Sequence, residues 1–276
     1  MKLVSWNYRG FGNPWAVRAL NKLLKQKDPD LVFLMKIRKK TNEINTVRRR
    51  GGLENVIGVD CRGEGRNRSG GPAVIWGKEL TVEIKSMSLN HIDMVVKEKG
   101  DNMQWRATGF YGCPEATNKN ESWELLRSLG QANSMPWMVF GDFNQEIEQK
   151  EKLGGLSVTF SQIRGFKEAL QINELLDLGF VGHAFTWTNN QGGNQNVQER
   201  LDRATANISW KEAFPRAVVE YFQRYRSDHC PILIDMVGDS TSKKKRVKKF
   251  RFEEVCWKRK SVKKLSKELG SRAAAE

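Results

Sequence analysis

Four short polar clusters in this chain gather residue types able to move protons: Trp6-Asn7, Gly141-Asp142-Phe143-Asn144, Glu199-Arg200-Leu201-Asp202-Arg203 and Ser227-Asp228-His229. An imidazole exchanges protons near neutral pH, so His229, which shares the chain only with His91 and His183, is the acid–base candidate. Strand alternation would turn Asp142 and Asn144 to the same side. Each cluster alone also reads as a turn or a cap, because Asp, Asn and Ser bond readily to their own backbone. The ordered set of four sets them apart.

Rigid elements must hold these clusters, and the hydrophobic pattern supplies them. Leu3-Val4-Ser5-Trp6 reads as a strand ending at Asn7, followed by a loop over Arg9–Pro14. Pro14 suits a first helical position, and Val17, Leu20, Leu23 and Leu24 recur at helical spacing until Asp28-Pro29-Asp30. Leu31–Met35 reads as a fully buried strand. Further strands are expected at 54–60, 71–76, 80–88, 92–97, 104–111 and 137–141, and helices at 118–130 and 160–171. The last third returns to short strands at Phe185–Thr188, Arg200–Ala204, Ala217–Phe222 and Pro231–Met236. Many strands with fewer helices imply one two-sheet α/β (α+β) domain over residues 1–238. After Gly238 the composition turns to Ser, Thr and Lys, marking residues 239–276 as a basic tail with too few apolar residues to form a domain.

A chain of 276 residues, 39% hydrophobic and 29% charged, is long enough to bury a core without disulfides or metals. No apolar run approaches the roughly 20 residues that span a bilayer, and the opening segment is too polar for a secretory signal. Cys61, Cys113, Cys230 and Cys256 are scattered without zinc-ligand spacing, as in a reducing compartment. Secreted, membrane-spanning, zinc-finger and disulfide-linked readings are therefore set aside. The net charge is +15, and Lys243–Glu276, with 14 Lys/Arg against four Asp/Glu, supplies +10 of it. The run Lys243, Lys244, Lys245, Arg246, Lys248 and Lys249 suits nucleic-acid phosphates, nuclear import or a solvated terminus. A nuclear place is expected, otherwise a cytoplasmic one.

Ser5-Trp6-Asn7, Tyr111-Gly112, Gly141-Asp142-Phe143-Asn144, Arg200-Leu201-Asp202-Arg203 and Ser227-Asp228-His229 follow one another in the order found in the endonuclease/exonuclease/phosphatase superfamily, which the chain resembles. Ser5–Gly10, Phe185–Asn189, Glu199–Ala204 and Phe250–Glu254 look like the endonuclease domain of plant LINE-type (non-LTR) retrotransposons. The resemblance implies a four-layer, deoxyribonuclease-like sandwich: two β-sheets face to face, helices outside, and the site where strand ends meet. It implies hydrolysis of a DNA phosphodiester with Mg²⁺, or Mn²⁺ in its place. Hard cations prefer carboxylate, amide and water oxygens, so Asp and Asn are apt neighbours. By resemblance, His229 orients or deprotonates water, Asp202 holds its tautomer, and Asp142 positions the nucleophile or protonates the leaving group. Asn7 and Asp228 would stand at the metal, with Tyr111 and Asn144 around the metal shell and phosphate. Thr186 and Ser227 are secondary hydrogen-bonding candidates for the phosphate.

Two positions depart from the family's pattern. Its second strand ends in a metal-binding glutamate, where this chain has Leu34-Met35-Lys36. A protonated lysine offers no acceptor. Exchanging −1 for +1 about 4 Å from a divalent ion would cost about 16 kcal/mol at an effective dielectric of 20 if nothing moved. Three readings follow: decay of the cutting activity, an ammonium that replaces part of the metal's charge and holds the phosphate, or a weak enzyme with metal on Asp228, Asn7 and water. Decay ranks first. Tyr8 stands where relatives commonly have cysteine. A complete element would continue into a reverse transcriptase, so the tail is expected to be the remnant of the segment leading to it.

Deleting residues 243–276 should weaken DNA binding and flatten its dependence on salt, measured as affinity across a salt series. Unchanged affinity would remove the tail from the interface.

Overall fold

The computed structural model describes residues 1–8, 14–37, 44–45, 48–49, 51–61, 63, 70–131, 134–224 and 227–238. The basic run at 243–249, Arg9, Gly10 and the Phe250–Glu254 motif lie outside them.

β1 (Lys2–Asn7) leads through α1 (Pro14–Lys27) into β2 (Leu31–Met35), and the two strands pair in parallel, Leu3 against Leu31 through Asn7 against Met35. β3 (Asn55–Gly58) and β4 (Ala73–Trp76) extend that sheet beyond β2. On the other side of β1 stand β16 (Ile232–Asp235), β15 (Val218–Tyr221) and β11 (Val181–Gly182), for a seven-stranded order β11-β15-β16-β1-β2-β4-β3. The second sheet orders β10-β14-β8-β7-β6-β5, built from β10 (Leu176–Asp177), β14 (Asp202–Ala206), β8 (Trp137–Asp142), β7 (Gln104–Tyr111), β6 (His91–Glu98) and β5 (Leu80–Met87). Within it β7 and β8 are parallel, with α2 (Lys119–Gly130) between them in sequence. A small sheet joins β12 (Trp187–Thr188), β13 (Gln198–Glu199) and β9 (Lys152–Leu153).

Side chains from both large sheets form one buried cluster, including Leu3, Phe33 and Ile234 with Met94, Ala107 and Phe140. Phe33 meets Phe140 edge-to-face at 5.7 Å. Gly109 allows this approach, since a Cβ there would sit 2.5 Å from the Phe33 ring. Outside the first sheet, Leu20, Leu23 and Leu24 of α1 pack on Val4, Val32 and Leu34. Outside the second, Trp123 and Leu126 of α2 and Phe166 and Leu170 of α3 (Phe160–Ile172) cover Phe110, Trp137 and Val139. Three apolar seams separate four layers, the expected sandwich. A capping box at Thr159 and Gln162 starts α3.

Most expected strands and helices form within about two residues of their sequence-based bounds. Three local differences have physical causes. Phe185–Thr188 shortens to Trp187–Thr188, because the Thr186 backbone instead bonds Glu199 and Cys230. Arg200–Ala204 slides to Asp202–Ala206, set by Asp202 pairing with Asp142. α4 (Ile208–Ala213), capped by Asn207 accepting from the Trp210 amide, is too short to show helical periodicity.

Gly141 holds φ 139° just before Asp142, and a Cβ there would lie 2.1 Å from the Phe110 carbonyl oxygen. Gly141→Ala should cost roughly 2–5 kcal/mol from backbone strain plus overlap. Gly100 has φ 84° and open space around it, so Gly100→Ala should cost about 1 kcal/mol. Urea midpoints of the two variants check this, and equal losses would contradict the steric account.

Candidate active site

One edge of the sandwich collects the ends of strands from both sheets. The parallel strands β1 and β2 finish side by side at Asn7 and Met35. In the second sheet, β7 and β8 finish at Tyr111 and Asp142, which are paired. β14 runs antiparallel to β8, so its first residue, Asp202, faces Asp142. His229 lies just upstream of β16, separated from it by Cys230 and Pro231, and bridges Trp187; β16 is antiparallel to β1. The Asp142 amide reaches the Met35 sulfur at 3.4 Å, joining the sheets at this edge.

A buried chain of hydrogen bonds links these ends. His229 Nδ1 lies 2.8 Å from Asp202 Oδ2. The Asn7 amide donates to Asp142 Oδ2 at 2.7 Å and lies 3.2 Å from His229 Nε2. Asn7 and Asp142 are wholly buried, and Asp202 and His229 nearly so. With the ring proton on Nδ1 toward Asp202, Nε2 keeps a lone pair, the form a general base needs. Burial works against a charged ring, but Asp202 and Asp142 outweigh it and lift the imidazole to about 8. Burial pushes the Asp202 carboxyl above its ordinary range; His229 pulls it down, and Asp142 pushes it further up.

Asp142 and Asn144 do meet, by a different route from strand alternation. β8 ends at Asp142, Asn144 takes φ 53°, and its amide donates to Asp142 Oδ1 at 2.9 Å. This is the side-chain turn that the residue types also favour. The Asn144 side chain then donates to the Gly112 carbonyl at 2.8 Å. Thr186 is wholly buried, and its hydroxyl accepts the Leu201 and Asp202 amides at 2.9 Å each, so it holds the backbone leading into Asp202. The Ser227 hydroxyl donates to the Asn7 carbonyl and accepts from the His229 amide. Asp228 accepts the Trp187 indole at 2.7 Å. Tyr8 packs edge-on to Trp6 at 5.0 Å within the apolar seam under α1, away from the polar chain.

Residues 4–229 match the endonuclease/exonuclease/phosphatase family. The chain belongs to that family. No curated protein matches it. Among solved structures it is similar to the endonuclease domain of TRAS1, a telomere-specific non-LTR retrotransposon, at 11% identity and TM-score 0.60 over 85% of this chain and 97% of that one. The 3′ phosphatase NExo from Neisseria, bound to product DNA hairpin, gives 14% and 0.60 over 85% and 98%. The AP endonuclease LMAP from Leishmania major gives 16% and 0.61 over 84% and 86%. At these identities the likeness is one of fold.

Members of this family are hydrolases of phosphodiester bonds that generally use divalent metals, so the donor set must be weighed for one. Asp142, Asp202 and His229 place ligand-capable atoms within 4.8 Å of one another. All three already bond to each other or to Asn7 and Asn144. Asn7 Oδ1 is a buried acceptor with no hydrogen-bond partner among the described residues. Against these donors stands an ammonium. Lys36, at φ 51° just past β2, lines the same cleft of about 400 Å³ as Asn144 and His229, with Nζ 5.0 Å above the Tyr111 ring. The set does not fit a tightly held divalent cation.

Several site residues carried no clear sequence signal. Lys119, at the start of α2, donates to the Asn144 carbonyl from the cleft wall, where burial pulls its ammonium down against nearby Glu146 and Asp142. Lys152 pairs with Glu199 at 2.6 Å on the same wall. Burial and Glu199 push the Glu146 carboxyl up. Arg200 and Arg203 were visible as motif residues, but not their task. Arg200 bonds Glu151 at 2.6 Å and Asp177 at 2.8 Å, and Arg203 bonds the same two carboxylates at 2.9 Å. These pairs clamp both flanks of Asp202.

Because the folded His229 imidazole binds its proton more tightly than a free one, the charged ring contributes stability that fades as pH rises from 6.5 through about 8. An NMR titration of His229 should show a midpoint near 8. In Asp202→Asn, where burial remains and the facing charge is gone, the midpoint should fall by about 1–2 pH units. An unmoved midpoint would remove Asp202 as the cause.

Proposed function

We propose that this chain is a phosphodiester hydrolase of the endonuclease type, of plant LINE-type retrotransposon origin, that acts on DNA and whose Mg²⁺-dependent cutting is impaired at Lys36. The observation that carries this reading is the buried chain Asp202–His229–Asn7–Asp142, whose His229 lines a cleft. Such a chain prepares a base and fixes its direction. His229 Nε2 takes a proton from water as the water oxygen bonds to phosphorus. Asp202 keeps the ring's other nitrogen protonated and steadies the imidazolium that results. The bond to the leaving sugar oxygen breaks and that oxygen takes up a proton. Asp142, 3.7 Å from Nε2, is placed to align the water or to serve the leaving oxygen. Asn7 and Asn144 hold Asp142 from two sides.

A second reading, nucleic-acid binding without cutting, is favoured by Lys36 itself, since a cation in this cleft attracts phosphate while opposing a metal. The basic tail would add affinity without regard to sequence.

Nicking of supercoiled plasmid in Mg²⁺ separates the readings. The natural chain should nick weakly or not at all, Lys36→Glu should raise the rate by about 100-fold or more, and adding His229→Ala should abolish it. Silence from a folded Lys36→Glu protein would rule out an intact hydrolytic centre. Brisk nicking by the natural chain, lost with His229→Ala, would overturn the impairment at Lys36.

A further inference from the structure

We infer that Leu156 and Phe160 form a rigid apolar wedge that enters the base stack of DNA beside the cleft, so that this chain prefers DNA with an unpaired step. This rests on the reading of the cleft as a DNA site and names the kind of DNA. Leu156 lines the same cleft as His229 and is 90% exposed, and Phe160 is 83% exposed. Single apolar side chains at a surface are ordinary. These two stand apart because the backbone that carries them is fixed at both ends, and because Leu156 opens onto the candidate site.

Gly154 and Gly155, directly after β9, hold φ 78° and 66°. A Cβ on Gly154 would lie 2.2 Å from the Asn196 carbonyl oxygen, and one on Gly155 would lie 3.1 Å from the Val197 side chain. The bend is therefore pressed against the segment that leads into β13. Past the bend, Gln149 Nε2 donates to the Val158 carbonyl at 2.5 Å, and the capping box of Thr159 and Gln162 fixes the start of α3. Leu156 is thus the tip of a short loop tethered on both sides, and Phe160 is the first residue of a helix. A tip held in this way stays in water until something covers it. Its neighbours Gly155, Ser157 and Thr159 are small, so the two apolar side chains make a narrow ridge. Such a ridge falls far short of the roughly 800 Å² per partner that a standard protein interface buries. It suits a base step, which Leu and Phe part by entering from a groove. Entry costs the unstacking of the step, and least where the bases are already unpaired. The preference follows from that difference.

The test is fluorescence anisotropy of the full-length protein, in EDTA, with a labelled duplex and with the same duplex carrying a two-nucleotide bulge. The tail attracts both probes alike, so the ratio of affinities reports the wedge. The natural chain should bind the bulged duplex about tenfold more tightly. Leu156→Ser should bring the two affinities within about twofold, and Phe160→Ser should lower the ratio about threefold. Neither removes a charge, so the slope of affinity against salt should not change. Ile208→Ser removes a side chain that is 58% exposed on α4, past the end of β14 remote from Asp202, and should keep the full ratio. Circular dichroism confirms that each variant is folded, and Phe160→Ser decides if Leu156→Ser is not. The inference fails if the natural chain binds both duplexes equally, if the ratio survives Leu156→Ser, or if Ile208→Ser lowers it as much. A natural chain that is dimeric by light scattering and becomes monomeric with Leu156→Ser gives the ridge to a second copy and overturns the wedge as well. Equal binding of both duplexes leaves the cleft a DNA site, whereas binding of neither overturns both. The ratio is read without cutting, so silence from a folded Lys36→Glu protein overturns the hydrolase and not the wedge.

Discussion

The separation of the two sheets is the constraint on which the rest depends. Asn7 belongs to one sheet and Asp142 to the other, and the 2.7 Å bond between them exists only if the sheets stop at the right distance. Gly109 against the Phe33 ring, and Phe33 against Phe140, set that distance in the core. The Asp142 amide on the Met35 sulfur repeats the link at the edge. Close-packed interiors transmit small changes in side-chain volume, so a core position such as Gly109 reaches the polar chain without touching it.

Much of this was legible in the sequence, and the parts that were not share a cause. The apolar runs ending at Asn7, Tyr111 and Asp142 mark strand ends because a buried strand cannot continue into amide and carboxylate side chains without a partner. Alternation suggested that Asp142 and Asn144 share one face, whereas the contact between them is made by the Asn144 backbone amide through a left-handed turn, its side chain going to the Gly112 carbonyl. Sequence spacing gives periodicity along an element and says little about a turn that folds back on its own side chain. Lys119 stayed invisible because its contact, the Asn144 carbonyl, lies 25 residues away on another element. The arginines flanking Asp202 stand in the motif, but their partners, Glu151 and Asp177, lie 23 to 52 residues off, beyond the reach of local spacing.

That arginine network separates two electrostatic tasks. Two guanidinium groups meet two carboxylates behind Asp202, and Tyr221 donates to the Asp202 carbonyl at 3.0 Å from the same side. Burial opposes ionised carboxylates there, yet Arg203 and Arg200 outweigh it and hold Glu151 below its ordinary range. The network balances its own charge and needs nothing from the cleft. A change at Lys36 therefore alters what the cleft attracts while leaving the backbone of Asp202 clamped. Buried pairs of this sort act more through the geometry they dictate than through net stability.

The site also has an order of birth. Its residues run from Asn7 to His229, and β1, an interior strand of the larger sheet, pairs with β16, the last strand of the described chain. At a ribosomal pace of about 5–20 residues per second, β1 waits roughly 10–50 s for that partner. Until then the Trp6 indole has no His229 carbonyl to bond, Asn7 has no imidazole, and Asp142 faces an unfinished wall. Any affinity for phosphate that resides in the cleft is consequently withheld from the nascent chain, which passes through synthesis before it can hold a nucleic acid in this site.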